Sequence, residues 1–243
     1  MKVEKRKIDT ESIKKFWVGL LEGSGSIQVN HWKKKNLQFR LEIKLKNCNE
    51  NFLMFKDIQK AIGGYIRFET SKKKERDQVV WIVDQKTEIE RIIKIFDQYA
   101  LLTKQKQDQL NFLKENLQRQ DVNWYLKERD NKYKVRVAHP DYKIKDITYF
   151  NEWLSGFVEA EGCFCIRTST YHSFSISQKY EKVLLSQIKE FFNITTQIKE
   201  SKKNIFLLEV YKKVILQKLI HHFIEYPLLG EKNKSFERFK NFF

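Results

Sequence analysis

One short pattern occurs twice in this chain, and it constrains the fold more than any other feature. WVGLLEGSGSI spans residues 17–27 and LSGFVEAEGCF residues 154–164. In both, an apolar helix-like stretch gives way to a strand-like one. Small residues fall four apart in each copy: Gly19 and Gly23 in the first, Gly156 and Ala160 in the second. Residues four apart share one face of a helix, so each pair leaves a bare stripe along which two backbones can approach closely. Such a stripe is common by itself. Two copies, with acids and glycines at matching positions, point to two equivalent helices that meet along it.

The surroundings repeat as well. After a helix over residues 13–25, alternation predicts strands at 26–32 and 37–46. In the second, Phe39, Leu41, Ile43 and Leu45 face one way, and Arg40, Glu42, Lys44 and Lys46 the other. A helix over 51–62, with Asn49 or Asn51 as its cap, ends at Gly63-Gly64. Strands at 65–70 and 78–84 and helices at 87–98 and 106–118 follow. The same order recurs: helix 149–162, strands 163–168 and 172–179, helix 181–192, strands 196–202 and 205–211, helix 214–224 and a last helix ending near 243. Even FDQYALL at 96–102 echoes FIEYPLL at 223–229. The unit appears twice, so this is a duplication and not a solenoid of three or more shorter repeats. The chain therefore reads as α/β (α+β), with one module over 1–120, a polar linker over 121–147 with local structure near Trp124 and Tyr125, and a second module over 148–243.

Charge then narrows the partners. Lys and Arg number 47 against 31 Asp and Glu, a net charge of +16. An excess of that size speaks of partners and solubility, not of fold. Beside a merely well-solvated surface, nucleic acid is the obvious polyanion, because phosphate neutralisation releases condensed counterions. A membrane surface is normally served by a concentrated basic helix or cluster. Here the cations are spread along the chain, with short runs at residues 33–35 and 72–74. No apolar run reaches the roughly 18 residues of a membrane span, and the first 17 residues lack a signal-peptide core. Cys48, Cys163 and Cys165 make neither a disulfide framework nor a zinc site, which fits a reducing compartment.

The two segments resemble the signature of the LAGLIDADG homing endonucleases, in the version with two motifs on one chain. The signature aligns without gaps onto residues 17–25 and 154–162, and the likeness covers nearly the whole chain. The resemblance implies two pseudo-twofold-related αββαββα modules forming a β-saddle, with the motif helices side by side at Gly19, Gly23, Gly156 and Ala160. It implies a monomer that recognises a long double-stranded DNA site, encoded in an intron, often in a mitochondrial genome. The Lys-, Asn-, Ile- and Phe-rich composition fits an AT-rich organellar gene. If Phe164, Ile166, Phe174 and Ile176 are core, the outward faces carry Gln28, Asn30, Arg40, Glu42, Lys44 and Lys46 in the first half and Arg167, Ser175, Ser177 and Lys179 in the second, joined by Arg67 and Lys199. Such side chains combine base-edge contacts with phosphate anchoring.

Catalysis is where the sequence departs from the family. The resemblance implies an acid at the tip of each motif helix, the pair holding divalent cations, Mg²⁺ above all, that activate water and stabilise the leaving oxygen. Carboxylates gathered at helix C-termini, where the dipole is also negative, make sense chiefly around a hard cation. The second copy has Glu161 there. The first has Ser24, a neutral residue. Glu22 and Glu159 lie two positions earlier, about 200° round the helix, and read as packing or solvated acids. The family also places a basic residue after the Leu-Leu turn: Lys232 fits, whereas the matching position of the first half is Gln105, flanked by Lys104 and Lys106. The readings that follow are a DNA-binding protein with weakened or lost double-strand cleavage, an active Mg²⁺-dependent endonuclease, a nickase, and an intron-splicing or other structured-RNA-binding protein, since some members assist splicing.

Overall fold

A computed structural model describes residues 9–71, 77–131, 142–166 and 171–243. Helix α1 (Thr10–Ser24) starts at Asp9, whose carboxylate accepts the Ser12 N–H at 2.7 Å, the N-cap bond that satisfies one orphan donor of the first turn. It runs straight into β1 (Gly25–Trp32), which turns through Lys33 and Lys34 (φ 49° and 56°) into β2 (Asn36–Lys46). The left-handed backbone at both loop residues matches the twist of the paired strands. Then come α2 (Asn49–Ile62), β3 (Tyr65–Glu69), β4 (Gln78–Val83), α3 (Lys86–Gln98) and α4 (Lys104–Arg119). Neither Asn49 nor Asn51 caps α2. The cap position is Cys48, and Asn51 is used elsewhere.

After α5 (Val122–Glu128) and a short 3₁₀ turn (Ile144–Asp146), the order repeats: α6 (Phe150–Glu161), β5 (Gly162–Ile166), β6 (His172–Lys179), α7 (Lys182–Phe191), β7 (Lys199–Lys202), β8 (Ile205–Val210), α8 (Lys213–Glu225) and α9 (Glu231–Lys240). Each half builds a four-stranded antiparallel sheet, in the orders β1-β2-β4-β3 and β5-β6-β8-β7. The register is equivalent too, Gly25 lying opposite Ile43 and Gly162 opposite Ile176. The same strand order in both sheets, with equivalent register in the first two strand pairs of each, is the structural form of the sequence duplication; only the edge pair β7–β8 departs, with a register shift at Glu200 to Lys202.

The inward sheet faces carry the alternating apolar residues of β2 and β6, and helices cover them. Trp17, fully buried, meets Trp81 of β4 edge-on and stacks on Phe96 of α3, with centroids 5.5 and 5.3 Å apart. The second core is a phenylalanine cluster in which Phe164 touches Phe174, Phe223, Phe236 and Phe239. Leu45 and Phe164 are only partly buried but pack against the core.

The described residues of the segment, 121–131 and 142–147, are more than a tether. Asp121 caps α5, Tyr125 is buried beside Phe112 and His31, and Trp124 stacks on Phe112. Further on, the Tyr142 hydroxyl donates to the Leu102 carbonyl at 3.0 Å, and the Ile144 N–H to Gln187 at 2.8 Å. Tyr149 reaches the Ala100 carbonyl at 2.6 Å. These bonds fasten the segment to the Leu-Leu turn of the first half and to α7 of the second. No helix among the described residues is long and apolar enough to cross a membrane.

Candidate functional site

The halves meet along α1 and α6. A Cβ on Gly19 would collide with the Trp153 carbonyl, and a Cβ on Gly156 with the Phe16 carbonyl, its pseudo-twofold mate. Glycine is required at both because backbone meets backbone. One turn on, a Cβ at Gly23 would run into the Ala160 methyl. The crossing therefore has room for one methyl at this level, and Ala160 supplies it. Lys15 and Glu152, equivalent positions of the two helices, pair at 3.4 Å near the other end.

Glu22 and Glu159 occupy equivalent buried places, 4% and 5% exposed. Glu22 accepts from the N–H groups of Leu102 (2.8 Å) and Thr103 (2.5 Å) and from the Trp153 indole (2.8 Å). Glu159 accepts from the N–H groups of Gly230 (3.1 Å) and Lys232 (2.8 Å). Burial pushes both carboxyls up, against the lowering pull of these donors. Each glutamate thus clamps the Leu-Leu turn and the N-terminus of the next helix, α4 or α9, where orphan N–H groups and the dipole favour an anion. Neither is a solvated acid.

These clamped helices carry lysines back to the tips of α1 and α6. Gln105 is exposed. The residue that reaches the end of α1 is Lys106, 7% exposed, its Nζ 2.6 Å from the Gly25 carbonyl. Burial lowers the Lys106 ammonium, while Glu22, Glu161 and Glu181 pull the other way. Helix phase explains the shift by one position. Lys106, Leu110 and Leu113 are spaced as Lys232, Phe236 and Phe239 are, and all four apolar residues are buried. The first half carries one more residue in its turn.

At the tips themselves the halves differ. Glu161 is half-buried, and burial raises its carboxyl against Gln178, which hydrogen-bonds it, and the charges of Lys106 and Lys232. Gln178 lies on the inward face of β6, in line with Ile176. Ser24, also half-buried, brings only a hydroxyl. No group of three His, Cys, Asp or Glu able to hold a metal occurs among the described residues. A hard octahedral cation takes several oxygen donors with matching charge, and this chain offers one carboxylate beside two ammoniums. The donor set does not fit a cation shared between two acids.

The lysine helices are also tied across the halves. Asn51 of α2 accepts the Glu231 N–H at 2.9 Å, and Glu181, ahead of α7, accepts the Gln105 N–H at 3.4 Å. Burial raises the Glu181 carboxyl to about 7. Asn51 and Glu181 have no marker in the sequence, because their role arises only when the two halves meet.

The outward face of the first sheet is densely interlinked. Gln28 donates to Ser26 (2.7 Å) and to Glu42 (2.9 Å), and Asn30 lies at its margin, 3.4 Å from Gln28. Lys44 pairs with Glu69 at 3.1 Å and lies 3.9 Å from Glu42, and Arg67 pairs with Glu69. Arg40 stands 3.8 Å from Asp84, which accepts the Tyr65 hydroxyl. Lys46 instead binds Glu231 of the other half at 2.6 Å. On the second sheet, Ser175 is half-buried, and Ser177, Lys179 and Lys199 are exposed. Arg167 lies outside the described residues, as do residues 72–74.

Comparison with known proteins bears on this geometry. The model of the LAGLIDADG endonuclease family matches residues 17–116 and 154–243. A probable intron-encoded endonuclease aI3 of Dictyostelium discoideum is 50% identical over 99% of both chains. Another from Debaryomyces hansenii is 41% identical over 94% of this chain, which spans 38% of that longer protein. Among solved structures, the homing endonuclease I-GzeII in complex with its DNA target aligns with a TM-score of 0.72 and 23% identity, over 97% of this chain and 89% of that one. I-LtrWI bound to target DNA gives 0.72 and 22%, over 96% and 90%. At these identities the two structures speak for the fold alone.

Proposed function

The chain belongs to the LAGLIDADG endonuclease family, and from that premise we propose that it binds a long double-stranded DNA site across its two sheets while cutting both strands weakly or not at all. The observation that carries this reading is the unequal pair at the helix tips, Ser24 against Glu161, with Lys106 and Lys232 retained beside them. Two ammoniums serve phosphate binding. One carboxylate is half of what a cation shared by the two cuts would use. Losing a charged metal ligand costs several kcal/mol of transition-state stabilisation, on the order of a few decades in rate.

Binding draws on the +16 net charge and on the polar outward faces of both sheets. Solved structures of the same fold are described as bound to DNA targets, and the curated relatives as intron-encoded. In this reading the chain is a monomer and the product of an organellar intron, acting in the mitochondrial matrix. Structured RNA is the competing ligand, so the test sets the two against each other. The full chain is presented with a randomised duplex DNA library and with structured RNAs, at several salt concentrations. Recovery of one long DNA sequence, bound more tightly than any RNA, supports the proposal. Tight binding to a structured RNA with no preferred DNA sequence overturns it.

A further inference from the structure

Strands β1 and β2 stay paired from Gly25 opposite Ile43 to Trp32 opposite Asn36, but β4 joins β2 only from Leu41 to Lys46. Five pairs, from Gln28 opposite Arg40 to Trp32 opposite Asn36, therefore run on past β4 as a ribbon with no third strand among the described residues. The major groove of DNA is wide enough to admit a two-stranded ribbon. This one is fastened from its inner side. Val29 and Phe39 are buried, and the His31 ring meets Tyr125 of α5 with centroids 5.9 Å apart. His31 Nδ1 also accepts the Lys34 N–H at 3.1 Å. The ribbon thus projects from the sheet on a braced backbone.

Its outward side carries Gln28 opposite Arg40, Asn30 opposite Gln38 and Trp32 opposite Asn36, with no acid among them. At the base, Gln28 is held by Glu42 at 2.9 Å, and Arg40, the residue of this set suited to guanine, stands 3.8 Å from Asp84. Further out, Asn30, Asn36 and Gln38 are exposed. An amide side chain can accept from N6 of adenine while donating to N7, and an apolar surface fits the C5 methyl of thymine. Trp32 supplies that surface at the outer end, 56% exposed, with the Lys33 Nζ over its ring. Trp17, Trp81 and Trp153 are fully buried and Trp124 stacks on Phe112, so Trp32 is the one tryptophan of five left open to solvent. Lys33, Lys34 and Lys35, exposed at the turn beyond it, are placed to hold phosphates.

We propose that the β1–β2 ribbon lies in the major groove over a short A·T segment at one end of the DNA site, with Asn30, Asn36 and Gln38 reading adenines and Trp32 packing on a thymine methyl group. Residues 30 to 32 advance about 7 Å, or two base-pair steps, so the segment covers about three base pairs. This rests on the DNA-binding reading above and adds the sequence class that one end of the site must have.

The test uses the full chain and the duplex recovered from a randomised library, with Kd measured without divalent metal. One end of that duplex should carry the A·T segment, and exchanging one of its pairs for G·C should weaken binding about ten-fold. Asn30→Ala and Gln38→Ala should relax that preference. Uracil, which lacks only the methyl of thymine, is then placed at each thymine of the segment in turn. At one position it should weaken binding about four-fold in the natural chain and leave Trp32→Ala unaffected. Acrylamide quenching of the tryptophan fluorescence should fall when the duplex binds, because Trp32 is the exposed ring.

A preferred duplex with G·C pairs at both ends overturns the proposal and leaves DNA binding standing. So does uracil without effect at every thymine, or with an effect that persists in Trp32→Ala. A library that yields no preferred duplex overturns the DNA-binding reading itself, and the proposal with it.

Discussion

Glu22 and Glu159 stand at equivalent positions, and so do Ser24 and Glu161, two residues further along the same helices. The first two are alike in identity and burial and in the backbone N–H groups they accept, Glu22 adding the Trp153 indole. The second two differ. Glu22 and Glu159 each satisfy two backbone N–H groups that have no other acceptor in the turn they clamp, so either acid is tied to the fold. Ser24 and Glu161 are half-buried at the helix tips, where packing accepts a hydroxymethyl as readily as a carboxylate. The constraint at position 22 is structural, and in the function proposed above the constraint at position 24 is chemical. On that proposal this chain has lost the second and kept the first.

Changes at matched positions test how far the two halves are equivalent. The largest effect is expected at Glu22. Glu22→Leu strands three buried donors and should cost about 4 kcal/mol, whereas Glu159→Leu strands two and should cost less. Urea unfolding of both variants measures the difference, and equal losses would remove the Trp153 bond from the account. A pH effect comes next. His222 of α8 is buried among Phe192, Phe223 and Tyr226, and burial lowers it to about 4. Its counterpart in the first half is Ile95, partly buried against the core.

For His222 the unfolded state gains a proton below pH 6.5 that the folded state refuses until about 4, so its stabilisation is lost as pH falls through that window. His222→Ile should remove up to about 3 kcal/mol of acid sensitivity relative to the natural chain, seen as a widening gap in Tm between pH 7 and 4. The smallest effect belongs to the helix crossing. Gly23→Ala should cost about 2 kcal/mol through the clash with Ala160. Adding Ala160→Gly moves the methyl to the other helix and should recover most of that loss. A double variant no better than Gly23→Ala would contradict the one-methyl crossing.

Much of this architecture was legible in the sequence because it is periodic. Phe39, Leu41, Ile43 and the small-residue stripes follow from alternation and helical spacing alone. Lys106 was not legible by counting from the Leu-Leu turn, which leads to Gln105, because the first half has an extra turn residue. The spacing Lys106, Leu110, Leu113 against Lys232, Phe236, Phe239 holds the correct phase. Glu22 and Glu159 show as acids on a helix, but their backbone partners lie about 80 and 70 residues further along the sequence. Gln178 sits on an inward face where alternation predicts an apolar side chain, and that exception marks it only once Glu161 is known to lie above it. Asn51 and Glu181 act across the halves, which no local pattern records.

Whether Ser24 limits cleavage is read by following both strands of the preferred duplex, each end-labelled, during incubation of the natural chain and of Ser24→Glu with Mg²⁺. Equal Kd values measured without metal ensure that binding is matched. Slow or undetectable double-strand cleavage is expected from the natural chain, and a gain of about a hundred-fold or more from Ser24→Glu. Rapid cutting of both strands by the natural chain, unchanged by Ser24→Glu, would contradict this expectation.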